Sequence, residues 1–145
     1  MSDTGGVYDP LKAIESLHWD LVWARLPSAV AGCTDFVNHA VMIAIDLSPA
    51  ERRSTLAHEV EHIRRGPVPT EPVLAAREER AVEEAAARQL INIRDLAELL
   101  AESDEPAYVA DALGVDPELL STRLDHLHPS EVAFLRRRLD TKGPR

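Results

Sequence analysis

At 145 residues, with 16 Lys+Arg against 25 Asp+Glu and a formal net charge of −9, the chain suits one domain and lacks the basic face that broad phosphate-driven nucleic-acid binding requires. Hydrophobic residues at 45% allow a real core and exclude wholesale disorder, and aromatics at 4% leave that core to Leu, Val, Ile and Ala. One cysteine, Cys33, excludes an internal disulfide framework and a Cys-rich zinc finger, while the absence of a signal-peptide pattern or of ~20 successive apolar residues points to a cytoplasmic domain with no membrane partner.

In chain order, residues 1–9 read as a flexible lead. Asp9 and Pro10 supply an N-cap and a first-turn proline for a helix over 10–17, with Leu11, Ile14, Leu17 and Leu21 as an apolar stripe. Residues 21–26 read as a short strand stopped by Pro27. Residues 32–38 and 39–46 read as two strands around a turn near Asn38-His39, and 40–45 carries the strongest strand pattern of the chain. These segments predict a small antiparallel sheet of two or three strands.

Past Asp46 the pattern turns helical. Ser48-Pro49-Ala50-Glu51 forms a capping box for a helix that runs to about residue 65 and stops at Gly66-Pro67. A proline-rich loop over 66–72 leads into a long Ala-rich helix over 72–91. Shorter helices follow over 93–101, from Pro106 to Gly114, over 118–127 and from Pro129 onward. The fold class is α+β, a single domain over 1–145 with a core over 10–100 and C-terminal helices over 106–140.

The chemistry concentrates in His58-Glu59-Val60-Glu61-His62, an HExxH pattern in the middle of the first long helix. Residues four apart share a helix face, so both imidazoles can reach one ion. Zinc accepts neutral imidazole nitrogens and keeps a position for water in catalytic sites. Glu59 stands beside the pair, where its carboxylate can take a proton from the metal-bound water as general base. The competing reading is a pair of hydrogen-bonded histidines on an ordinary amphipathic helix. Chance would supply such a pattern only about 0.02 times in a chain of this composition.

A third ligand is needed. Cys33 lies on the expected sheet, and His126 and His128 are far downstream, whereas the next helix carries Glu78, Glu79, Glu83 and Glu84. Most of these four suit a solvated face paired with Arg77, Arg80 and Arg88. Spacing places Glu79 and Glu83 on one face and leaves the choice between them open.

The run from Arg53 through His62 resembles the active-site helix of the ImmA/IrrE family of zinc metallopeptidases. In that family the second helix carries Glu-x-x-Ala-Asn/Asp-x-x-Ala, then Leu-Leu and often proline. This chain reads Glu79-Arg80-Ala81-Val82-Glu83-Glu84-Ala85-Ala86 and then Leu90-Ile91-Asn92, departing at Val82, Glu83 and Asn92. The resemblance spans about residues 8–140. It implies a zincin-like domain of gluzincin type with Zn2+ held by His58, His62 and Glu79. Glu83 would then accept a hydrogen bond from a ligand histidine. The implied activity is limited hydrolysis of a regulatory protein such as a repressor, in a phage, mobile-element or stress-response setting.

Two further segments have functional readings. Residues 40–45 read either as a sheet edge that takes the substrate peptide as an added strand or as a core strand buried on both faces. Residues 109–124 resemble a helix-turn-helix, but its reading helix sets Glu118 and Asp125 against Arg123 alone, which argues against nucleic acid. Tyr108, His126 and His128 are the candidates for stabilising an oxyanion, each more simply explained as a surface or packing residue. The alternative to an enzyme is a non-catalytic regulatory module that binds a transcription factor on the same scaffold. Glu59 argues for the enzyme, because a zinc scaffold alone has no need of a carboxylate there.

Overall fold

Six of the seven helices described here begin at a proline, whose fixed φ and missing N–H suit the first helical turn. A computed structural model of the chain describes residues 7–140. In order these form α1 (Pro10–Ser16), β1 (Asp20–Ala24), β2 (Gly32–Asp35), β3 (Ala40–Ala44), α2 (Pro49–Arg65), α3 (Pro72–Leu90), α4 (Ile93–Glu102), α5 (Pro106–Leu113), α6 (Pro117–Asp125) and α7 (Pro129–Asp140). The side chains of Asp9, Ser48, Glu71, Asn92 and Asp116 cap five of the helices. Ser48 and Glu51 form the complete reciprocal box expected for α2. Residues 1–6 of the expected lead lie outside the described residues. Its last three residues are placed: Asp9 caps α1, Tyr8 packs against the helical core, and Val7 is exposed.

The fold is α+β, but the sheet is mixed rather than antiparallel. Its strand order is β1-β3-β2. β2 and β3 pair antiparallel, as expected, around a turn in which the Asp35 carboxylate accepts hydrogen bonds from the backbone of Val37 and Asn38. β1 pairs with the other side of β3 and runs parallel to it, with Leu21 opposite Val41 and Trp23 opposite Ile43. Alternating apolar residues mark a strand without naming its neighbours. The most apolar strand takes the centre, where Val41 and Ile43 are fully buried. Residues 40–44 are therefore not a sheet edge, and Ile45, past the end of the strand, is 47% exposed. The outer edges belong to β1 and β2.

α2 lies between two cores. Leu56 and Val60 pack with Ile14, Val41 and Ile43 toward the sheet, while Ala57 joins Ala86, Ala87, Leu90, Ile91, Leu96, Val109 and Leu119 among the helices. Each large apolar side chain buried this way contributes about 1.5–3 kcal/mol against an extended chain. Two faces of α2 are thus fixed, and the face carrying His58 and His62 is turned toward α3.

The C-terminal helices are tied to α3 by charge. Arg123 on α6, 3% exposed, donates from both terminal nitrogens to Glu131 on α7, at 3.0 and 2.6 Å. Its Nε donates to the Ile91 carbonyl, and Arg88 of α3 reaches the same Glu131 carboxylate. The Arg123 hydrogen bonds outweigh partial burial and hold the Glu131 pKa down at about 2. No described helix is long and apolar enough to cross a membrane.

Candidate metal centre

Gly66, in the positive-φ conformation, ends α2, and a short loop brings α3 back against it. This return sets Glu79 opposite the histidine pair. The Nε2 atoms of His58 and His62 are 3.1 Å apart, and Glu79 Oε1 lies 3.1 Å from His62 Nε2 and 3.3 Å from His58 Nε2. These three atoms form the candidate metal-binding group found among the described residues.

The donor set fits a small divalent cation on two counts. Zinc bonds of about 2.0–2.2 Å to nitrogen or oxygen imply ligand–ligand edges of about 3.3–3.6 Å in a tetrahedron. The three edges are close to that. His58 Nδ1 also donates to Glu83 Oε1 at 2.7 Å, which leaves Nε2 of the neutral ring as a lone pair. The two Nε2 atoms and one carboxylate oxygen converge on one point, and with His62 carrying its proton on Nδ1 a cation would satisfy all three. Burial alone would lower the His58 pKa. The hydrogen bond to Glu83, with the Glu59, Glu83 and Glu79 charges, more than offsets burial, so protonation is favoured over that of a free imidazole.

Of the four glutamates on α3, Glu78 makes a double hydrogen bond with Arg65 of α2, at 2.6 and 3.1 Å, rather than pairing along its own helix. Glu84 approaches Arg88 at 4.0 Å. Glu79 and Glu83, four apart, are the two that reach the histidines. Glu59 is 4% exposed and lines the cleft beside His58 and His62. Its Oε1 accepts a 2.6 Å hydrogen bond from the Thr34 hydroxyl of β2.

The cleft has a volume of about 410 Å³, with Phe36, Pro67 and Val68 on its apolar side. A second hollow of about 380 Å³ shares Gly32, His58 and Glu59 with it and continues to Glu83, Asp116 and Glu118. Gly32 sits where the two meet. A Cβ there would come within 2.8 Å of Thr55 Cγ2 and 3.0 Å of the Met42 carbonyl, so only glycine lets β2 lie this close to α2. Cys33 lines the cleft without joining the converging ligand group.

Sequence reasoning missed Thr34 and Gly32. No motif marks either, because both act on α2 across more than twenty positions of chain. The oxyanion candidates are not brought to the cleft. Tyr108 donates to Glu102, His126 Nδ1 donates to the Thr122 carbonyl, and the His128 amide donates to Glu131. The chain matches no protein-family model, no curated protein and no solved structure.

Proposed function

We propose that the protein is a zinc-dependent peptidase that hydrolyses a regulatory protein at limited sites, on a zincin-like scaffold like that of the ImmA/IrrE family. One observation carries the reading: His58 Nε2, His62 Nε2 and Glu79 Oε1 converge within 3.3 Å of one another, with the enclosed carboxylate of Glu59 beside them. Bound there, zinc would supply Lewis acidity toward water and the scissile carbonyl. His58, His62 and Glu79 hold the ion, and Glu83 fixes the His58 ring through Nδ1. Glu59 takes a proton from the attacking water and passes it to the departing amine.

The outer edge of β2 runs along the cleft and carries no partner strand among the described residues. It would offer backbone donors and acceptors to an extended peptide. The protein partner is a transcriptional regulator, as the family resemblance implies, in the cytoplasm. The reading includes no nucleic-acid partner, and in its support α6 commits Arg123, its one basic side chain, to Glu131 and the Ile91 carbonyl.

The decisive comparison sets wild type against Glu59→Gln, with zinc measured by mass spectrometry and cleavage of candidate repressors followed by gel. Both proteins should hold about one zinc per chain, while Glu59→Gln loses about 10²–10⁴-fold in rate. Equal cleavage by the two would sink the peptidase reading. A regulator that both bind and neither cuts would leave the non-catalytic module.

A further inference from the structure

Glu59 is held from outside its own helix. Thr34 lies opposite Val41 in the β2–β3 pair, on the sheet face that packs against α2, and its hydroxyl reaches Glu59 Oε1 at 2.6 Å. Gly32, two residues earlier and so on the same face, lies so near α2 that an added Cβ would come within 2.8 Å of Thr55 Cγ2. These two contacts seat β2 on the HExxH helix. A carboxylate turns freely about its last torsion, whose energy well is broad and two-fold. A short charge-assisted O–H···O bond removes that freedom.

We propose that Thr34 is a positioning residue for Glu59: its hydroxyl engages Oε1 and leaves Oε2 as the oxygen presented to the reacting groups in the cleft. The role rests on reading Glu59 as the general base. The consequence is that the edge strand bordering the cleft also sets the orientation of the base, so a shift of β2 is a shift of Glu59.

The test uses the zinc-loaded full chain and two readouts. One is kcat and KM on the best-cut peptide from a randomised quenched-fluorescence library. The other is calorimetric binding of acetohydroxamate, a zinc chelator whose hydroxyl would hydrogen-bond to the base, and it needs no turnover. Thr34→Val, isosteric without the hydroxyl, should keep its zinc and its melting temperature. It should lose about tenfold or more in kcat with little change in KM, and bind acetohydroxamate about tenfold more weakly. Thr34→Ser should restore both. Adding Thr34→Val to Glu59→Gln should weaken acetohydroxamate no further, since the two residues act as one unit.

The proposal is overturned if Thr34→Val matches wild type in both readouts, or if Thr34→Ser falls as far as Thr34→Val. It is also overturned if, in a hydroxyl-free variant that folds, the losses follow lost zinc. Thr34→Ala is the second hydroxyl-free variant should valine not be accommodated. If wild type cuts nothing, the peptidase reading fails, while the acetohydroxamate comparison still decides whether Thr34 orients Glu59.

Discussion

Glu79 and Glu83 share residue type, helix and face, yet the structure gives them different work. Glu79 Oε1 bridges both Nε2 atoms, whereas Glu83 meets only the outer nitrogen of His58. Glu79→Ala should therefore purify essentially metal-free, and Glu83→Ala should bind zinc about 10–100-fold more weakly. Equilibrium dialysis against zinc checks both, and full zinc in Glu79→Ala would move the ligand elsewhere. Acid gives a second measurement at the same residues. Protons compete with metal for imidazole, and the metal-free fold binds a proton at His58 more tightly than a free imidazole does. Zinc affinity should start to fall above pH ~6.5, the ordinary histidine value, and keep falling below it. A zinc dissociation constant unchanged from pH 8 to pH 5 would speak against histidine ligation. HExxH was readable because i and i+4 share a face; Thr34 was not, because its contact is made across the gap between a strand and a helix.

Among the elements, the helices were legible nearly to their ends. Proline with a capping side chain is a local signal, and it works at α1, α2, α3 and α6 without help from the rest of the chain. Strand partners are not local. The apolar run of β3 announced a strand, but its neighbours depend on how residues 25–31 carry the chain past it, and that path leaves no periodic trace. The seat of β2 on α2 is equally hidden and gives a direct test. Gly32→Ala places a methyl against a stiff β-branched Thr55 side chain and a backbone carbonyl, and neither can retreat cheaply. It should destabilise the protein by about 1–3 kcal/mol in urea unfolding. Thr55→Ser in the same chain should recover part of the loss, and no loss at all would mean that β2 has room to spare.

For the whole molecule, one charged tie between the C-terminal helices and α3 runs through Glu131. Composition made Arg123 the single basic residue of a helix that resembles a DNA reader, and only the folded chain reveals that its charge faces inward. Glu131→Ala would leave that buried guanidinium without its carboxylate, a change that typically costs about 3–5 kcal/mol. The pH dependence has a definite sign. A carboxylate whose pKa drops from 4.5 to about 2 on folding stabilises the fold fully above pH ~4.5 and loses that contribution as pH falls toward 2. The difference in unfolding free energy between wild type and Glu131→Gln should shrink over that interval. A difference that stays constant down to pH 2 would show that the carboxylate is not what Arg123 needs.

The strand order also governs how the chain can assemble as it leaves the ribosome. β1 and β2 are separated by β3, so neither has its partner until residues 40–44 have emerged. A nascent chain halted before Ala40 therefore holds two strands and no sheet. Once β3 arrives it closes on both at once. α2 begins five residues after β3 ends, so the helix bearing His58, Glu59 and His62 is the next element to emerge after the sheet is complete. Glu79 emerges later still, so the proposed metal-binding group is complete only once α3 has been made.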